Sequence, residues 1–225
     1  ENPFSSHCGM PIIRGEKYIL TKWFKETEIN PSAPNEICEH HFMPVFHPVG
    51  FEKVRMRLDC VDAVKEWMSR ADEGQWTDET INGDGLYSGM VSKHLNVDAA
   101  PIKLLNELRD TFREILTKWI EYKAPLTHTA TYGIRKYLCG SQLANHYDKK
   151  NTHVLSAIIH LDDDASDKQW NLYIEDHHFR PHNVTMEYGD IVLYESTTCL
   201  HGRPEPFEGL AHCNMSIHFK PDSWN

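Results

Sequence analysis

His146, Tyr147 and Asp148 form a His-x-Asp triplet in a stretch with strand character, and a second histidine, His201, lies in "DIVLYESTTCLHGRPEP". Side chains alternate along an extended strand, so His146 and Asp148, two apart, project to the same side and can share one ion. His201 follows after enough chain for several strands to fold back and complete a three-ligand face. Two imidazoles and one carboxylate leave coordination positions open for exogenous ligands, the donor set of non-haem Fe(II) centres. A closed structural site brings a fourth protein ligand instead. His146, Asp148 and His201 are therefore the metal-ligand candidates. In a chain with 15 histidines the triplet alone is weak, and its surroundings have to carry the assignment.

The elements that must position these residues are legible as a change of texture. Asp59 followed by "CVDAVKEWMSR" has a capping aspartate and apolar Val61, Val64, Trp67 and Met68 at helical spacing. A longer helix is predicted over 98–122. Leu104, Leu105, Leu108, Phe112, Ile115, Leu116, Trp119 and Ile120 make its single apolar stripe, which reads as packing against a sheet. From Thr127 onward the chain breaks into short runs rich in Val, Ile, Thr and Tyr. The candidate strands are "GIRKYLC", "HVLSAIIHL", "NLYIED", "HNVTMEY", "DIVLYES" and "HCNMSIHF", with breaks at 162–167 and 188–190. Strands following helices in this way predict a mainly antiparallel sandwich or jelly roll with a helical support layer. The Pro/Ser/Asn cluster over 30–36 reads as a linker that separates residues 1–29 from a main domain over 37–225.

Composition narrows the functional classes. The formal charge of −10 is the wrong sign for a nucleic-acid groove, although one local basic residue can still bind a small anion. No stretch approaches the roughly 20 apolar residues of a bilayer span, and "ENPFSSHCGM" lacks the layout of a signal peptide, so no membrane partner is expected. The six cysteines include no CxxC pair, which disfavours a zinc knuckle. Two glycosylation acceptors, Asn183-Val-Thr185 and Asn214-Met-Ser216, place a secretory-pathway or ER-lumen location slightly ahead of a cytoplasmic one.

The segments "RKYLCGSQLANHYD", "THVLSAIIHLDDD" and "YGDIVLYESTTCLHGRP" resemble the 2-oxoglutarate and Fe(II)-dependent dioxygenases, and within them the prolyl 4-hydroxylase-like branch. The resemblance spans roughly 127–221. It implies a double-stranded β-helix with Fe(II) held by His146, Asp148 and His201, 2-oxoglutarate and O2 as cosubstrates, and ascorbate as an auxiliary reductant. It implies hydroxylation of a C–H bond, with peptidyl proline and hence a peptide or protein partner as the expected substrate, and release of succinate and CO2. Tyr137 resembles the tyrosine that hydrogen-bonds the distal carboxylate of 2-oxoglutarate in such enzymes. Hydroxylation of another side chain or a small molecule, and a catalytically silent jelly roll binding a peptide or glycan, stand as alternatives.

The chain departs from the family at one point. The family places a Lys or Arg nine to eleven positions after the second histidine, and here those positions are Leu210, Ala211 and His212. Aligning "HCNMSIHF" with the family's last strand assigns the anchor to His212, which lacks the fixed charge and fork of arginine. Arg203, two positions past His201, is the second choice, so replacing His212 is expected to weaken 2-oxoglutarate binding more than replacing Arg203.

Elsewhere, "SSHCGMPIIRGEKYILTKWF" resembles the end of another prolyl-hydroxylase domain, with His7 and Lys17 ten apart. It reads either as the tail of a preceding catalytic domain, which is preferred, or as a remnant strand. The glycine-rich "INGDGLYSG" lacks the context of a dinucleotide fingerprint and reads as a loop over a substrate. Glu39, His40, His41 and His47 read as solvated or packed, and Asp162 to Asp164 as a charged turn. Cys199, two before His201, reads as a buried small apolar residue.

Overall fold

The computed structural model describes residues 43–55, 59–79, 91–163 and 169–224. The expectations for 1–29, the 30–36 linker, the His7 and Lys17 pair, Glu39 to His41 and the glycine-rich 81–89 stretch lie outside these residues.

Strand β1 (Phe51–Arg55) precedes helix α1 (Asp59–Arg70), and the hairpin of β2 (Trp76–Glu79) and β3 (Ser92–Asn96) leads into helix α2 (Ile102–Trp119). Eight strands follow: β4 (Leu126–Leu138), β5 (Leu143–His146), β6 (Leu155–Asp163), β7 (Leu172–Glu175), β8 (Pro181–Val184), β9 (Asp190–Tyr194), β10 (His201–Arg203) and β11 (Ala211–Pro221). They form two antiparallel sheets, one ordered β1-β9-β6-β11-β4-β3-β2 and the other β5-β10-β7-β8. Apart from the β7–β8 and β4–β11 closures, successive strands of this set cross between sheets, which is a double-stranded β-helix with two helices in support.

Both faces of the larger sheet are covered, and the strand alternation shows by what. Leu155, Ala157, Ile159 and Leu161 of β6, Ile191 and Leu193 of β9, and Met215, Ile217 and Phe219 of β11 share one cluster with Val61 and Val64 of α1 and Leu104, Leu108, Phe112 and Leu116 of α2. The intervening residues Ile158, Val192 and Tyr194 pack instead with Leu172, Ile174 and Cys199 on the side of the smaller sheet. Covering on both sides turns β9 into an unbroken buried run and hides the period-two signal.

Helix α1 spans the predicted residues, with Asp59 and Asp62 at its positive end and Arg70 at its negative end. Helix α2 is shorter than predicted. A 3₁₀ turn occupies Val97–Ala99, and Pro101 in an extended conformation precedes the first helical residue. At the other end Glu121 and Tyr122 turn left-handed, with φ of 55° and 59°, and close the helix after Ile120. Strands β1, β2, β3 and β10 were not predicted, because they are short and carry charged or polar residues at most positions.

Among the described residues Cys60, Cys139, Cys199 and Cys213 are free thiols. Asn214 is 7 % exposed in the middle of β11, so folding closes that glycosylation acceptor, whereas Asn183 is exposed on β8. No helix among these residues is long and apolar enough to cross a membrane.

Candidate metal centre and its cavity

The three predicted ligands converge. His146 ends β5 and His201 begins β10, and the two residues are direct partners in the ladder between those strands. Asp148, in the loop after β5, is tied down by its own amide, which donates to the carbonyl of Ser196 at 2.9 Å. Nε2 of His146 lies 3.6 Å and Nε2 of His201 3.9 Å from Oδ1 of Asp148, and one ligand atom from each residue falls within 4.8 Å of the others.

Hydrogen bonds settle which face of each ring looks inward. Nδ1 of His146 meets the carbonyl of Ala144 at 2.8 Å, and Nδ1 of His201 meets that of Cys199 at 2.9 Å. A carbonyl only accepts, so each Nδ1 carries the proton and each Nε2 presents a lone pair to the centre. Burial, reinforced by the neighbouring His146, pushes the pKa of His201 down to about 4, which keeps that ligand neutral. Burial opposes ionisation of Asp148, but His146, His201 and His218 outweigh it and hold the carboxyl well below the usual range. Oδ2 of Asp148 is buried without a hydrogen-bond partner. A buried carboxylate oxygen in that condition, facing two imidazole lone pairs, fits a divalent cation.

The centre opens on a cavity of about 450 Å³. This is in the size class of small-molecule sites, on the order of 300–1,000 Å³. One wall comes from the inward row of β11. Asn214, Ser216 and His218 line it, while the alternate Met215, Ile217 and Phe219 enter the helix-side core. His218 is pushed by burial down to about 3 and is neutral; its ring lies 3.9 Å from that of His153. Ser156 Oγ bridges His218 Nδ1 and Ser196 Oγ at 2.7 Å each, and His153 Nε2 meets the hydroxyl of half-exposed Tyr132 at 3.1 Å. Tyr194 packs edge-on against His201 at 4.8 Å.

The cavity also holds a charged pair. Arg135 on β4 grips Glu79 of β2 through two 2.6 Å hydrogen bonds, and its third nitrogen donates to Tyr137 Oη at 3.4 Å. Burial disfavours the Glu79 anion, yet Arg135 prevails and lowers the pKa of Glu79 below its ordinary value.

The residues expected to receive a cosubstrate divide. Tyr137 and Arg203 line the cavity; His212 does not. His212 is 2 % exposed in a cage of rings, with centroids 4.7 Å from His160, 5.4 Å from Trp170, 5.9 Å from Phe207 and 6.2 Å from Tyr137. A register slip between Cys213 and Asn214 against β6 separates His212 from the cavity-lining row that follows it. The structure thus reverses the order expected of His212 and Arg203. Cys199 is fully buried, its thiol directed at the carbonyl of Gly50, and His47 stacks on Trp119 at 4.6 Å.

Sequence reasoning missed Glu79, Arg135, His153, Asn214, Ser216 and His218. The polar half of the alternation in "AHCNMSIHFKP" was a usable signal for the last three, since His, Asn, Ser and His occupy every second position opposite Cys, Met, Ile and Phe. Nothing local marks Glu79, which reaches Arg135 from another strand.

No protein-family model and no curated protein matches the sequence. Solved structures do match by fold. A Pseudomonas putida prolyl-4-hydroxylase aligns with a TM-score of 0.58 and 14 % identity over 78 % of this chain and 94 % of that one. A prolyl hydroxylase from Trichoplax adhaerens, in complex with a hypoxia inducible factor peptide fragment, aligns with a TM-score of 0.57 and 9 % identity over 87 % and 95 %. HygX from Streptomyces hygroscopicus, with nickel and 2-oxoglutarate bound, aligns with a TM-score of 0.55 and 12 % identity over 78 % and 84 %. At these identities the likeness is one of architecture, and the chain has the prolyl 4-hydroxylase-like double-stranded β-helix fold of the 2-oxoglutarate and Fe(II) oxygenases.

Proposed function

We propose that the chain is an Fe(II)- and 2-oxoglutarate-dependent dioxygenase that hydroxylates a C–H bond, with peptidyl proline as the favoured substrate class. The observation that carries this reading is the oriented, buried His146, Asp148 and His201 cluster, whose Asp148 Oδ2 has no hydrogen-bond partner. The choice of proline rests on the two neighbours named as prolyl hydroxylases, one of them with a peptide.

With Fe(II) and 2-oxoglutarate bound, such a centre couples oxidative decarboxylation of the 2-oxoacid to hydroxylation of a C–H bond. The protein's part is placement. His146, Asp148 and His201 hold the cation, and the two backbone carbonyls lock the imidazole faces, so little reorganisation is needed when the ligand set closes. Neutral His153 and His218 with Tyr132 form an uncharged wall beside the centre, against which a substrate side chain packs without an ion to desolvate. Exposed Lys149 and half-exposed Tyr132 stand where the cavity meets solvent.

The test is turnover on a proline-containing peptide library with Fe(II), 2-oxoglutarate and ascorbate. Succinate should form together with a one-oxygen mass gain on the peptide, and Asp148→Ala should abolish both. If purified protein forms no succinate with peptides or small molecules and binds no Fe(II), the silent binding-domain alternative replaces the enzyme.

A further inference from the structure

The last strand brings neither lysine nor arginine to the cavity. Its inward row contributes Asn214, Ser216 and His218, and His212 sits outside, inside the cage of rings. Two guanidinium groups arrive from other strands instead. Arg135 is held bidentately by Glu79, so its charge is neutralised by the protein's own carboxylate. Arg203, on the same strand as His201, is 2 % exposed and is braced by Trp170: Nη1 donates to the Trp170 carbonyl, and Cζ stands 4.9 Å from the centroid of the indole.

We infer that Arg203 is the anchor for the distal carboxylate of a five-carbon 2-oxo diacid bound at the metal centre, with Tyr137 beside it; this rests on the cofactor reading proposed above. Arg203 and His201 both line the cavity. Two positions along a strand correspond to roughly 6.6 Å. A ligand with its 1,2-dicarbonyl end at the metal and a carboxylate two methylenes further on spans about that step. A four-carbon diacid falls one methylene short, and a 2-oxo monoacid offers Arg203 no anion. The planar fork of arginine suits a carboxylate in two-point contact, and its burial strengthens the charge-assisted bonds. Trp170 holds the guanidinium in place beforehand, so less side-chain freedom is lost when a ligand arrives.

The experiment compares 2-oxoglutarate with 2-oxopentanoate, which has the same chain length without the distal carboxylate. Each is titrated anaerobically into the Fe(II)-loaded protein, following the visible charge-transfer band of the chelated 2-oxoacid. The parent protein should prefer 2-oxoglutarate by about 10- to 100-fold, the range for hydrogen bonds to a charged group. In Arg203→Met that preference should fall to near one while 2-oxopentanoate binds as before, which also shows that the variant is folded. Arg203→Lys should retain part of the preference and serves if the methionine variant is unstable. His212→Ala should leave the preference intact. A preference unchanged in Arg203→Met or Arg203→Lys, or lost in His212→Ala, overturns the assignment of Arg203 while the cofactor reading stands. If the parent protein shows no band with either acid, the cofactor reading itself fails and takes the anchor with it.

Discussion

Gly202 lies between His201 and Arg203 on β10, and replacing it by alanine tests whether strand spacing positions the metal ligands. A Cβ built on Gly202 would stand 2.6 Å from Asn145 Oδ1, 2.8 Å from the Ala144 carbonyl oxygen and 2.9 Å from Asn145 Cα. The side-chain oxygen can swing away, but the other two atoms are backbone of β5, the strand that ends in His146. Restoring ordinary contact needs β5 and β10 to part by about 0.6 Å, an overpacking strain of about 1–3 kcal/mol. For a chain of this size that corresponds to a fall in Tm of about 2–12 °C. Because His146 and His201 are ladder partners across the same two strands, metal affinity should fall with it. Gly74 is the control: a Cβ there meets nothing within 4 Å, and Gly74→Ala should be neutral or slightly stabilising. The assays are thermal unfolding of the apo protein and a Co(II) titration followed by its visible spectrum. Adding Asn145→Ala to Gly202→Ala should recover only part of the loss, since the Ala144 oxygen remains. A Gly202→Ala protein that melts within 1 °C of its parent and binds Co(II) as tightly would refute the reasoning.

Two further outcomes follow from the packing. Glu195 is 1 % exposed and pushed up to about 7 by burial, against the opposing pull of the His47 and Phe46 amides that donate to Oε1. The same carboxyl in the unfolded chain titrates near 4.5, so between those values the unfolded state sheds a proton that the folded state keeps, and stability drops as pH rises through that window. Glu195→Gln keeps the acceptor oxygen and should flatten this fall, by at most about 3 kcal/mol between pH 4 and pH 8 in urea denaturation; parallel pH profiles for parent and variant would count against it. Phe112→Ala, at a fully buried position of α2, should cost about 3–5 kcal/mol in the same assay while the folded fraction keeps its metal affinity, because Phe112 packs on the sheet face away from the cavity. A matching loss of metal affinity would show that the two faces are not independent.

The metal centre was legible in the sequence because its logic is local. His146 and Asp148 are two apart beside a strand, and the context of His201 marks another strand, so residue type and spacing determined both the ligands and the class of fold. Helices α1 and α2 were equally plain, since one apolar stripe faces one sheet. The limits of α2 were not, because a 3₁₀ turn and Pro101 delay its start.

What the tertiary structure decided was which side chains share the cavity. His212 and Arg203 are both basic residues after His201, and sequence spacing favoured the wrong one for lining the site. A register slip in β11 and the closure of Trp170, Phe207 and Tyr137 around His212 are long-range events that no local pattern encodes. Likewise Arg135 and Glu79 meet only because β4 and β2 lie in one sheet with β3 between them. Strand periodicity tells which face a residue takes, and it is silent on which residue of a distant strand waits there.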